Sequence, residues 1–163
     1  MKNVVHVEGS SEPTLQLILD SYMDKYRGII SDTQFGGLVY TFAKNTANPV
    51  EELSSDKLKD LFHEGIGLIT YFGHSSASTM EFNLDNPDQY DNTGKYPVMI
   101  VMGCNAGSIF NINSLRLISK ETISEKFVLA SQKGAIAFIA SSYLGIVHYL
   151  DIFNTQTYSQ LWY

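Results

Sequence analysis

The sequence predicts an α/β fold, with a mostly parallel sheet flanked by helices on both sides. Three observations carry this. Strand-like runs alternate with helix-like segments along the chain. The strand-like runs at 66–72, 97–102 and 135–140 are apolar on both faces, as in a sheet covered twice. The chain has 163 residues, 44% of them hydrophobic and 17% charged. That is enough to bury roughly 70% of its unfolded surface without disulfide staples.

Each element has a local reason. The β-branched run at 4–7 predicts a strand, ended by Glu8-Gly9-Ser10-Ser11. Pro13 then opens a helix, where its missing N–H costs nothing. Leu15, Ile18, Leu19, Tyr22, Met23 and Tyr26 recur at helical spacing, and Gly28 is expected to close the helix. Residues 38–42, after Gly36-Gly37, read as a strand. Ser54 or Ser55 is expected to cap a short helix with Leu58, Leu61 and Phe62 on one face, stopped by Gly65. The apolar strand at 66–72 is broken only by Gly67 and Thr70. It ends at Gly73-His74-Ser75-Ser76. A loop rich in Asp, Asn, Pro and Gly fills 83–96. The strand at 97–102 ends at Gly103-Cys104-Asn105-Ala106-Gly107. Thr122 and Glu125 have capping-box spacing ahead of Phe127, Val128 and Ala130, and Gly134 is expected to end that helix. A last strand covers 135–140, and a helix starts near His148.

Composition excludes several function classes. Eleven basic against seventeen acidic residues give a net charge of -6, with no basic stripe, which argues against a nucleic-acid partner. The N-terminal apolar run is short and interrupted by Glu8. The stretch 133–151 contains Ser141, Ser142, Gly145 and His148, and falls short of the roughly 20 apolar residues a membrane span needs. No membrane insertion is expected. The chain starts on a strand-like run and finishes helically at Gln160-Leu161-Trp162-Tyr163. Both ends read as cuts, and residues 1–163 are expected to be one domain of a longer parent chain.

The single cysteine, Cys104, can form neither an internal disulfide nor a thiolate zinc site. In an open parallel sheet, ligands bind beyond the carboxyl ends of the strands. His74 ends one buried strand and Cys104 ends the next. An ordinary cysteine is only a few per cent thiolate at neutral pH, so a neighbouring imidazole as base makes chemical sense. The same imidazole can protonate a leaving amine. Gly73 and Gly103 let the backbone turn close to a substrate, and the N–H groups of Ser75 and Cys104 can form an oxyanion hole. The plainer alternative is that a lone cysteine is a small buried hydrophobe, and that a lone histidine is structural.

These residues carry a resemblance. Leu68-Ile69-Thr70-Tyr71-Phe72-Gly73-His74-Ser75-Ser76 resembles the histidine block of clan CD cysteine peptidases. Val98-Met99-Ile100-Val101-Met102-Gly103-Cys104 resembles their cysteine block. Within that clan the chain is most similar to the gingipain family, peptidase family C25, which includes the sortase relatives of type IX secretion. The resemblance extends to the strand at 134–142. It implies a caspase-like three-layer sandwich and a cysteine-type endopeptidase or transpeptidase-like hydrolase acting on peptide or protein substrates. It implies His74 and Cys104 as the dyad, with Glu8 orienting the histidine, since Val7-Glu8-Gly9-Ser10 resembles the family segment that carries this acid. Ser75 and Cys104 would form the oxyanion hole. Gly73, Ser76, Gly103, Asn105 and Tyr143 would line the substrate. It implies an exported bacterial protein, extracellular, at the cell surface or periplasmic. No cofactor is required, although structural calcium is a family trait. The Asp85, Asp88 and Asp91 cluster lacks the glycine and distal glutamate of an EF-hand loop and reads as a solvated face.

The sequence departs from the family at Ser75, where a glycine usually follows the histidine. A serine would be strained if the backbone there needed positive φ. Glu12 is the one nearby acid that could serve a basic-residue pocket. Two rival readings stand beside the peptidase. One is a catalytically impaired scaffold or peptide-binding module of a larger surface protein. The other is an esterase in which Gly73-His74-Ser75-Ser76-Ala77 approximates a nucleophile elbow, with Ser75 attacking and a helix directly behind it. His148 would then be the later histidine. Otherwise His6, His63 and His148 are read as structural.

Overall fold

A computed structural model describes residues 2–43, 50–82, 84–110 and 121–161. The elements run in the order β1 (Asn3–Gly9), α1 (Pro13–Ile30), β2 (Leu38–Ala43), α2 (Val50–Glu64), β3 (Leu68–Gly73), β4 (Val98–Met102), α3 (Ile123–Leu129), β5 (Ala137–Ala140) and α4 (Val147–Gln160). A single 3-10 turn, Pro87–Gln89, interrupts the loop before β4. The five strands form one parallel sheet in the order β2-β1-β3-β4-β5.

Strand alternation divides the core into two layers. Val5, Val7, Ile69, Tyr71, Met99 and Val101 face α2 and α3, where they meet Leu58, Leu61, Phe62 and Phe127. Val4, Leu68, Phe72, Ile100 and Met102 face α1 and α4, against Leu19, Met23, Tyr26, Ile30 and Tyr158. Helices on both faces make the three-layer sandwich that the doubly apolar strands predict.

Two polar strand residues, His6 and Thr70, enter the α1/α4 layer and share the Tyr158 hydroxyl. His6 Nε2 lies 2.9 Å from the Tyr158 hydroxyl, and Thr70 Oγ1 lies 2.6 Å from the same oxygen. Burial, and secondarily the Arg27 charge, pushes His6 down to about 3, so it is neutral and structural. Asp151 of α4 accepts from Lys25 at 2.5 Å and from the Tyr26 hydroxyl at 2.8 Å, which ties α4 to α1. His63 sits exposed near the end of α2, 3.7 Å from Asp91.

Several boundaries differ from the sequence reading. Helix α1 runs through Gly28 to Ile30, because Gly28 faces open space and costs the helix only its propensity. Helix α2 begins at Val50, before either serine. Helix α3 ends at Leu129, not at Gly134. Gly134, at φ 87°, belongs to a turn held by Asn92, which accepts from its N–H at 3.0 Å and donates to its carbonyl at 2.8 Å. Strand β3 starts at Leu68 and β5 at Ala137, each two residues later than expected.

The capping box is present as read. The Thr122 hydroxyl accepts from the Glu125 N–H at 3.4 Å, and the Glu125 carboxylate accepts from the Thr122 N–H at 2.7 Å. Thr122→Ala should therefore lower the unfolding free energy by about 1 kcal/mol in urea titration. An unchanged midpoint would mean that the box contributes nothing.

Candidate active site

The parallel register fixes where the reactive residues come out. Glu8 pairs with Phe72 and Gly9 with Gly73, while Phe72 pairs with Met102. β1, β3 and β4 are neighbours, so their carboxyl ends finish at one edge. Glu8 lies on the last turn of the pleat in β1. His74 follows β3 directly, and Cys104 lies two residues past β4. Phe72 and Met102 face the α1/α4 layer, and His74 and Cys104 each lie two residues beyond one of them.

The two loops are stitched together by backbone. The His74 N–H donates to the Gly9 carbonyl at 2.9 Å. Its carbonyl accepts from the Tyr71 hydroxyl at 2.5 Å and from the Glu81 N–H at 3.1 Å. The main chain at His74 is thus pinned while its side chain stays exposed. The Ser75 hydroxyl donates to the Cys104 carbonyl at 2.8 Å, joining the histidine loop to the cysteine loop. Gly103 is required by this approach, since a Cβ there would lie 2.2 Å from Ser75 Oγ and 2.7 Å from the Gly73 carbonyl. Ser76 builds the following turn, accepting from the N–H groups of Ser78 and Thr79 at 3.2 and 3.1 Å.

Cys104 is half-buried. The Gly145 N–H donates to its sulfur at 3.4 Å, and the thiol reaches the Gly145 carbonyl at 3.9 Å. The Asn105 N–H donates to the carbonyl of Tyr143, whose side chain is 72% exposed. The positive φ of the site falls on Asn105 (57°), a residue type that tolerates it, and not on Ser75. The serine after the histidine is therefore unstrained. Among the described residues, no acceptor takes the backbone N–H of Ser75 or of Cys104.

Glu8 is buried, at 3% exposure, and faces α1. Gln16 donates to its Oε2 at 2.5 Å and to Asp20 at 2.7 Å. Desolvation, then the hydrogen bond and charge of Asp20, push Glu8 up to about 8 against the opposing pull of Gln16. Among the described residues, neither the Glu8 carboxyl nor the Cys104 thiol hydrogen-bonds the His74 ring. Such contacts are often loose before substrate binds.

Two neighbours of the site were not read from sequence. Gln16 is one face position on an amphipathic helix, and nothing in the sequence distinguishes it. Gly145 sits two residues before α4, and a glycine ahead of a helix start was the available signal. Glu12 is exposed at the start of α1. No helix follows Ser75, as an elbow needs: residues 76–82 form turns, and its hydroxyl is engaged with the Cys104 carbonyl. Asp88 pairs with Lys133 at 3.1 Å. Among the described residues, no three His, Cys, Asp or Glu side chains group to hold a metal, and no helix is long and apolar enough to cross a membrane.

The sequence model of Peptidase family C25 matches residues 1–163. The chain belongs to peptidase family C25. Its fold is similar to the crystal structure of the Arg-specific cysteine proteinase gingipain R (RgpB), with a TM-score of 0.63 and 17% identity over 90% of this chain and 33% of that one. The complex of Porphyromonas gingivalis RgpB pro- and mature domains matches the same shares at a TM-score of 0.52 and 17% identity. A comparison with curated proteins gave no match. This C25 chain thus spans about a third of the length of those solved relatives, and it carries the caspase-like cysteine-peptidase scaffold.

The buried acid has a measurable signature. The value for Glu8 is raised from 4.5 to about 8, so the unfolded state releases this proton first as pH rises. Its contribution to stability is complete below pH 4.5 and is lost on the way to about pH 8. Urea midpoints of Glu8→Gln should fall less than those of the wild type across that window. Parallel pH profiles would show that Glu8 ionises as an ordinary glutamate.

Proposed function

We propose that the chain is the catalytic subdomain of a cysteine-type endopeptidase, with Cys104 as nucleophile, His74 as general base and acid, and Glu8 as orienting acid. One observation carries the reading: the register of three adjacent parallel strands brings Glu8, His74 and Cys104 to one sheet edge. His74 takes the thiol proton, and the sulfur attacks the peptide carbonyl carbon. The N–H groups of Ser75 and Cys104 receive the oxyanion, which is supported by their having no other acceptor among the described residues. His74 then gives its proton to the leaving amine, and water hydrolyses the thioester. No cofactor enters these steps.

Gly73, Ser76, Gly103, Asn105 and Tyr143 line the approach to the sulfur, with the exposed Tyr143 ring as a wall for the substrate side chain. The substrate is a peptide or protein segment. The rest of the parent chain completes the groove, and the protein acts outside the cell or at its surface. A second reading, a peptide-binding module without turnover, draws on one observation. The Glu8 carboxyl is committed to Gln16 of α1 and not to the His74 ring.

A peptidyl acyloxymethyl ketone separates these. Mass mapping should find the adduct on Cys104, and His74→Ala should slow labelling by about 100-fold or more. Absence of labelling on the folded protein would leave the binding module. A fluorophosphonate adduct on Ser75 would move the assignment to the esterase.

A further inference from the structure

The sulfur of Cys104 touches one group that the dyad does not account for. Both backbone polar atoms of Gly145 face it, the N–H at 3.4 Å and the carbonyl at 3.9 Å. We propose that the Gly145 amide is a positioning group for the nucleophile, holding the Cys104 sulfur and stabilising its thiolate. This rests on the peptidase reading for its purpose but not for its chemistry. A neutral thiol can donate to the Gly145 carbonyl while it accepts from the N–H. After ionisation the N–H bond becomes charge-assisted and strengthens.

The turn carrying Gly145 is fixed well enough to do this. The Asn105 N–H donates to the Tyr143 carbonyl at 2.9 Å, and the Gly107 N–H to the Ser141 carbonyl at 2.9 Å. The Ser141 hydroxyl closes the turn onto the Tyr143 carbonyl at 2.8 Å. The β5–α4 turn and the cysteine loop are therefore joined by two backbone bonds. Only glycine fits at 145. A Cβ there would lie 2.6 Å from Leu150 Cδ1 and 2.8 Å from the Gly103 carbonyl oxygen, which is backbone and has nowhere to go. The turn leads directly into α4, whose N-cap residue Ile146 makes no side-chain cap.

The surrounding charges do not replace this amide. The titratable groups on the packed elements are His74 beyond β3, Glu8 on β1, Tyr143 on the turn, and His148, Tyr149 and Asp151 on α4. Glu8 is directed at α1, and Asp151 is paired with Lys25. Of the groups just named, only a protonated histidine is a cation. The Gly145 N–H is the polar donor present at every pH.

Iodoacetamide alkylation of Cys104 reads this without any peptide chemistry. Gly145→Ala should lower the rate about tenfold near pH 6 and leave it unchanged near pH 10, well above the ordinary range for a cysteine thiol. Leu144→Ala, which leaves the turn backbone intact, should match the wild type at both. The Gly145→Ala effect should persist in a His74→Ala background. An equal fall at both pH values would reduce Gly145 to packing, and no change would remove it; either overturns the proposal. Should Gly145→Ala not fold, the wild-type chain decides. The Gly145 amide proton should move downfield with the same midpoint as the thiolate absorbance, and a stationary resonance overturns the proposal. If these outcomes hold while acyloxymethyl ketone labelling ignores His74, the Gly145 contact stands and the peptidase reading falls.

Discussion

The parallel ladder through β1, β3 and β4 is the constraint on which the rest depends. A one-residue slip in a strand turns every side chain to the opposite face. Glu8, His74 and Cys104 come to one edge through the register Glu8–Phe72–Met102. That register is held by two apolar layers at once. Val5, Ile69 and Met99 are buried on one side, and Val4, Leu68 and Ile100 on the other. A one-residue slip would also carry His6 and Thr70 away from the Tyr158 hydroxyl that both bond.

Beyond the ladder, the site is built from short backbone links. Ser75 bonds the Cys104 carbonyl, His74 bonds the Gly9 carbonyl, and the turn at 141–146 bonds the loop at 104–107. These links explain why glycine recurs. Gly103 and Gly145 stand where two main chains approach too closely for a side chain. They also resolve the departure at Ser75. A serine is accommodated after His74 because the strained conformation is on Asn105, and the hydroxyl gains a partner that a glycine would lack.

The sheet and its edge were legible in the sequence because doubly buried strands leave an apolar run that no other local structure needs. The capping box at Thr122 was legible for a similar reason, since its two residues bond each other across three positions. Of the three helix ends read from glycine, only Gly65 directly follows its helix. Gly28 is passed over by α1, and Gly134 serves a turn set by Asn92, forty-two residues away in sequence. The same limit hid Gln16 and Gly145. Their roles come from atoms brought near by tertiary packing, and local spacing carries no trace of it. Glu8 was legible as a position but not as an environment. Its burial against Gln16 and Asp20 raises its ionisation range, and only the packing of α1 reveals that.

On the proposed reading, one sheet edge presents to a single carbonyl a sulfur, an imidazole and two amides with no other acceptor among the described residues. A crystal structure of the protein with a peptide aldehyde tests it most directly. The expected adduct is a hemithioacetal on Cys104 whose oxygen lies about 2.7–3.1 Å from the N–H nitrogens of Ser75 and Cys104, with the His74 ring on the same side. A hemithioacetal oxygen pointing to solvent, with the His74 ring turned away from it, would rule out this oxyanion hole and dyad.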